Sequence, residues 1–327
     1  MGTTRWSDDH YTDRKLFRAS TGTATFKHDD DVKKGKASGV HKKLDVKGVK
    51  LRESRDSVEH PTSHAVAVLF DVTGSMAGVP RILQANLTKL MSLLIRKGYL
   101  EHPQIMIGAI GDATTDQYPI QIGQFESGIE IEDDLTNIVL EGGGGGQQTE
   151  SYELSMYFMA RHTSLDCFEK RGKKGYLFII GDEMAYNDVN KRLVADNIGD
   201  NLEADIPTKD IVEELKKMYE VYYILPKGTG YYDDPKIADY WKKLIGQNFL
   251  KLEDPAGISE LIASTVGLAE GNANMDDVSK DLTAVGTDKN VVESVSRALA
   301  PVVAAGGGKK SLIAVGASSN APGLARV

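Results

Sequence analysis

The run Ala65-Val66-Ala67-Val68-Leu69-Phe70, closed by Asp71, constrains this chain more than any other stretch. A continuous apolar segment of this length reads as a strand buried on both faces, which requires layers of structure above and below a sheet. It stops on a carboxylate, and two hydroxyls follow at alternate positions, Thr73 and Ser75, with Gly74 between them. In open α/β sheets the carboxyl ends of strands are where ligands gather. An Asp-x-Thr-x-Ser set offers hard oxygen donors, which suit Mg2+ or Mn2+ rather than zinc or copper.

The rest of the chain alternates strand and helix signals. Apolar residues at helical spacing from Pro80 through Lys97 predict a helix that Gly98 ends. Ile105–Ile110 and Ile120–Phe125 read as strands. The short Gly111–Pro119 connection between them suits an antiparallel hairpin, so one strand is expected at a sheet edge. A short helix is expected over Asp133–Leu140, then the glycine run Gly142–Gly146, then a helix over Thr149–His162. Tyr176–Ile180 reads as a buried strand closed by Gly181-Asp182. A polar insertion, Glu183–Pro207, precedes a helix over Thr208–Met218. Val221–Leu225 and Phe249–Leu252 read as strands, Pro235–Leu244 and Gly257–Gly267 as helices. This alternation predicts a doubly wound, mostly parallel sheet with helices on both faces.

Charge divides the chain. Residues 1–64 carry 14 Lys/Arg against 10 Asp/Glu, the remainder 25 against 37, and the net charge is -8. The sequence therefore reads as a basic N-terminal arm over 1–64, an α/β body over 65–270, and an Ala/Gly-rich extension over 271–327. The arm reads as extended, with short strands or turns around Thr21–Phe26 and Leu44–Leu51. In the extension, Val291–Leu299 suits a helix, Gly306-Gly307-Gly308 a linker, and Ser311–Val327 a flexible or partner-dependent end. The arm's lysines lack interleaved aromatic residues, so any nucleic-acid contact would be electrostatic and without sequence readout.

The single cysteine, Cys167, excludes an internal disulfide framework and reads as a packing residue. The first residues lack the apolar core of a signal peptide, and no apolar run nears the roughly 20 residues of a membrane span. A soluble cytoplasmic protein is the expectation. The seven histidines show no tight metal-ligand spacing, and five fall in the arm.

Two later places match the opening motif. Thr149 stands behind the glycine run, and Asp182 ends a buried strand. In a doubly wound sheet all three loops lie on the carboxyl edge. Here the chain resembles the von Willebrand factor A domain, the fold also called the integrin I domain, over roughly residues 65–268. The metal-ion-dependent adhesion site of that family uses Asp-x-Ser-x-Ser, a distant threonine and a late aspartate. Asp71-Val72-Thr73-Gly74-Ser75, Thr149 and Asp182 match it, with threonine in place of the first serine.

The resemblance implies that Thr73 and Ser75 supply hydroxyl ligands, with Thr149 direct or through water. Asp71 and Asp182 would hold the metal, Mg2+ or Mn2+, or its waters. It implies a protein partner offering an Asp or Glu carboxylate to the open coordination position, and no catalytic activity. Intracellular members of the family often work beside AAA+ ATPases or in larger assemblies. Asp112, after Ile110-Gly111, reads as a turn residue or as a neighbour of the site.

An alternative is a phosphotransferase of the haloacid dehalogenase type, with Asp71 as nucleophile and Gly181-Asp182 with Asn187-Asp188 as a metal loop. Against it, Val72 lacks the expected charge, Asn187-Asp188 lies two positions too far, and no lysine is clearly placed. A third reading keeps the fold without metal, with Asp71 and Thr149 as helix caps.

Overall fold

A computed structural model of the chain describes residues 2–76, 78–143, 146 and 148–305, without the Ser75 side chain. Residues 144, 145 and 147 of the glycine loop, the Gly306-Gly307-Gly308 linker and Ser311–Val327 lie outside the described residues.

The centre is a six-stranded sheet. Its strands are β1 (His64–Asp71), β2 (Pro103–Ile110), β3 (Ile120–Ile122), β4 (Gly175–Ile180), β5 (Tyr219–Pro226) and β6 (Phe249–Leu252). They lie in the order β6-β5-β4-β1-β2-β3. All neighbours are parallel except β3, which runs antiparallel to β2 at one edge. This is the doubly wound order, and it reverses between β1 and β4. The short Gly111–Pro119 connection is what turns β3 back, as its length suggested.

Strand alternation splits the opening motif between two cores. Val66, Val68 and Phe70 face one, against helices Ile258–Glu270 and Lys289–Ala304. Ala65, Ala67 and Leu69 face the other, against helices Tyr152–Arg161, Thr208–Met218 and Pro235–Ile245. All eight residues of β1 are buried, as a strand covered on both faces must be. Cys167 is buried and free in the second core.

Three local expectations are corrected. The helix expected over Pro80–Lys97 is interrupted. It runs Val79–Ala85, breaks at Asn86, resumes over Leu87–Met91 and widens to a π-type turn over Ser92–Arg96. Asn86 Nδ2 donates to the Ile82 carbonyl at 3.0 Å, a side-chain bond of the kind that competes with the helix ladder. Thr149 does not open a helix. It forms a two-residue strand, Thr149–Glu150, parallel to Met184–Ala185, and the helix starts at Tyr152.

The third correction concerns the arm, which contains two helices and packs on the body rather than extending from it. The arm forms Asp8–Thr21 and Lys27–Lys33, and a short strand Arg52–Ser54 parallel to Thr163–Leu165. Tyr11, Phe26, Leu44 and Val46 are buried against the body. Ser7 and Gly22 mark the ends of the first helix: Ser7 Oγ accepts the His10 N–H, and Gly22 takes the left-handed conformation. Beyond residue 270 two more helices, Met275–Ala284 and Lys289–Ala304, pack on the first core, and the second contains the expected Val291–Leu299. No helix of the described residues is long and apolar enough to cross a membrane.

Candidate metal centre

The register of the sheet sets the site. β1 and β4 pair from Val66 with Tyr176 to Phe70 with Ile180. Asp71 therefore stands opposite Gly181, with Asp182 one residue beyond. Both aspartates are fully buried. They flank the point where the strand order reverses, which is where a doubly wound sheet opens a crevice.

Asp71 is held by three donors. Its Oδ1 accepts the Thr73 N–H at 2.7 Å and the Thr73 hydroxyl at 2.5 Å, and its Oδ2 accepts the Tyr152 hydroxyl at 2.7 Å. Gly181 makes the last bond possible, because a Cβ there would stand 2.1 Å from the Tyr152 hydroxyl oxygen. Burial pushes the Asp71 carboxyl up to about 7; the bonds from Thr73 and Tyr152 oppose the rise and Asp182 adds to it. Asp182 Oδ2 accepts the Tyr231 N–H at 3.3 Å from the loop after β5.

Ser75 lies in a 3-10 turn, Gly74–Met76, that follows β1, and its side chain is outside the described residues. The glycine loop packs on this turn: Gly74 N–H donates to the Gly143 carbonyl at 2.7 Å and Gly142 N–H to Val72 at 3.1 Å. A Cβ at Gly143 would stand 2.2 Å from Asp116 Oδ1, so a side chain there would displace the Asp116 carboxylate. Thr149 reaches the same edge through its pairing with Met184, two residues after Asp182.

The structure thus joins Asp71 and Thr73 directly, sets Asp182 across the strand pair, and brings the Thr149 strand alongside the Asp182 loop. Asp112 is buried and does more than turn the chain. It accepts both the N–H and the hydroxyl of Thr114, and the Tyr186 hydroxyl at 3.1 Å.

Sequence reasoning missed Tyr152, Glu150 and Glu183. Glu150 is 1 % exposed and Glu183 6 %, and one oxygen of each, Oε2, has no hydrogen-bond partner. Burial, then Asp71, Glu183, Asp112 and Asp116, push Glu150 up to about 10. Burial, then Asp71, Asp182 and Asp112, push Glu183 up to about 8. The available signal was adjacency: each glutamate follows a residue already singled out.

The donor chemistry fits a hard divalent cation, since the candidates are carboxylate and hydroxyl oxygens alone. Among the described residues no three His, Cys, Asp or Glu side chains are grouped to hold an ion. Hydroxyls would have to complete any shell at this site.

No family model matches the chain, and no curated protein matches it. Solved structures of similar shape exist. The pilus adhesin SpaC from Lactobacillus rhamnosus GG matches at 9 % identity and a TM-score of 0.44, over 68 % of this chain and 32 % of that one. Proximal thread matrix protein 1 from the mussel byssus matches at 12 % and 0.40, over 63 % and 47 %. A von Willebrand factor type A structure from Catenulispora acidiphila matches at 10 % and 0.38, over 64 % and 43 %. The chain spans about a third to a half of the length of these structures. Matches this distant add no weight, and the fold rests on the strand order itself.

Proposed function

We propose that this chain is a metal-dependent protein-interaction module of the von Willebrand A type. The observation that carries the reading is the placement of Asp71, with the Thr73 hydroxyl bound to it, beside Asp182 at the reversal point of the sheet. Asp71, Thr73, Ser75, Thr149 and Asp182 would hold the ion, Mg2+ or Mn2+, directly or through waters. When bound, the ion supplies a positive charge that an outside carboxylate can complete. Tyr152 positions Asp71, and Gly181 leaves room for Tyr152.

The partner is a protein presenting an Asp or Glu side chain, and the chain acts without catalysis. A nucleophilic role for Asp71 is not favoured. The side chain is fully buried and both its oxygens accept hydrogen bonds, while Asn187 and Asp188 are exposed on the insertion.

The test is retrieval of partners by the full chain in Mg2+, in EDTA, and by the Asp71→Ala variant in Mg2+. A partner held by wild type in Mg2+ and lost in the other two supports the reading. Equal retention in all three contradicts it.

A further inference from the structure

A second concavity, of about 340 Å3, lies next to the candidate metal centre. Its walls are the turn at Thr114, the first turn of helix Tyr152–Arg161 and the insertion from Tyr186 to Asp205. That volume is at the small end of ligand pockets, which run to roughly 300–1,000 Å3, and suits one side chain rather than a whole cofactor.

Glu153 lines it and is 0 % exposed. Glu153 Oε2 accepts the Tyr186 N–H at 3.2 Å, and Oε1 has no hydrogen-bond partner. Two more carboxylates, Asp188 and Asp205, also line the space, and no Lys, Arg or His is among the described residues that line it. Burial, against hydrogen bonds from its own N–H and that of Tyr186, holds the Glu153 carboxyl well above the usual range. In the empty cavity such a carboxyl keeps its proton and is neutral; an incoming cation would pair with the carboxylate as that proton leaves to solvent. A metal is a poor candidate, because no three acidic, His or Cys side chains are grouped for one among the described residues. An ammonium or guanidinium head needs only spread acceptors and room for its stem.

We propose that this cavity takes the cationic head of a lysine or arginine from a protein partner, with Glu153 as its counter-ion. Tyr186 ties the cavity to the metal centre. Its backbone N–H serves Glu153, and its hydroxyl serves Asp112. On the reading of the previous subsection, a partner would present an acidic residue to the ion and a basic residue to Glu153. Cation binding itself does not depend on that reading.

The test uses the full chain in EDTA, with Nα-acetyl-lysine amide and Nα-acetyl-arginine amide as probes followed by NMR shift titration, and spermidine as a free-cation control. Saturable binding of one amino-acid probe is expected. Glu153→Gln should weaken it by about tenfold or more, the scale of a lost charge-assisted bond. Asp71→Asn should leave it unchanged, so failure of the metal reading would not be mistaken for failure here. Thermal melting of Glu153→Gln without probe, at or above the wild-type midpoint, confirms that the variant folds. No binding to wild type, equal binding to Glu153→Gln, or binding of spermidine alone would overturn the proposal.

Discussion

Acidic side chains are buried in two parts of this molecule, and their surroundings are opposite. Where the arm meets the body, Glu132, Asp166 and Asp56 are matched by cations. Arg18 pairs with the fully buried Glu132 at 2.5 Å, and Arg14 approaches its other oxygen at 3.6 Å. Arg55 and Lys170 hold Asp166, and Arg171 and Lys170 hold Asp56. Burial there is outweighed by these bonds, so Asp166 and Asp56 lie below the ordinary carboxylate range. At the carboxyl edge Asp71, Glu150 and Glu183 lie above it. The arm's acids are structural clasps, already compensated by the chain. Asp71, Glu150 and Glu183 form no ion pair among the described residues, which on the proposed reading leaves them for a cation from outside.

The largest effect should come from breaking a clasp. Arg18→Ala leaves Glu132 buried with a weaker partner, and losing one member of a buried pair costs about 3 kcal/mol or more. Denaturant melts should show that loss, with Mg2+ binding unchanged. Loss of Mg2+ binding instead would mean the two regions are not separate.

The next contrast is in pH. In EDTA-treated protein, Asp71 moves from 3.8 to about 7 and Glu183 from 4.5 to about 8 on folding. Raised carboxyls bind extra protons in the folded state. Their stabilisation is full below the unfolded values and is lost as pH rises through the folded ones, on the order of 1.4 kcal/mol per pH unit per group. Asp56 and Asp166 act the other way: their contribution is present above the ordinary value and lost on acidification. Metal-free stability should therefore fall between pH 5 and 8, and Asp71→Asn should flatten that slope. Stability rising across the window would erase the distinction.

Gly181→Ala sharpens the same point at one atom. Its methyl displaces the Tyr152 hydroxyl from Asp71, and disturbing such a positioning partner lowers metal affinity by about 10–100-fold. Tyr152→Phe removes only the hydroxyl and belongs at the lower end, about 10-fold. Calorimetric Mg2+ titrations rank the two. Affinity unchanged in both would detach Tyr152 from the site.

Much of this was legible in the chain. Thr208–Met218 and Phe249–Leu252 are found with the bounds their spacing gives, and Asp71 and Asp182 sit at strand ends as their apolar runs require. What stayed hidden is non-local. The arm helix Asp8–Thr21 buries a single residue of its own, Tyr11, and draws on Glu132 and Asp133 more than a hundred residues away. No local pattern encodes that. Tyr152 reaches Asp71 only through the β1–β4 register and the missing side chain of Gly181. The strand pairing that moves Thr149 off its expected helix also buries Glu150.

The central claim is that the Asp71 crevice is completed by a divalent cation. Calorimetric titration of Mg2+ into the full chain, beside Asp71→Asn, tests it most directly. One ion per chain binding wild type at millimolar concentration or below, with no binding to a folded Asp71→Asn, is the predicted result. A wild-type protein that takes up neither Mg2+ nor Mn2+ at millimolar concentration, or an Asp71→Asn variant that binds as tightly, would contradict it.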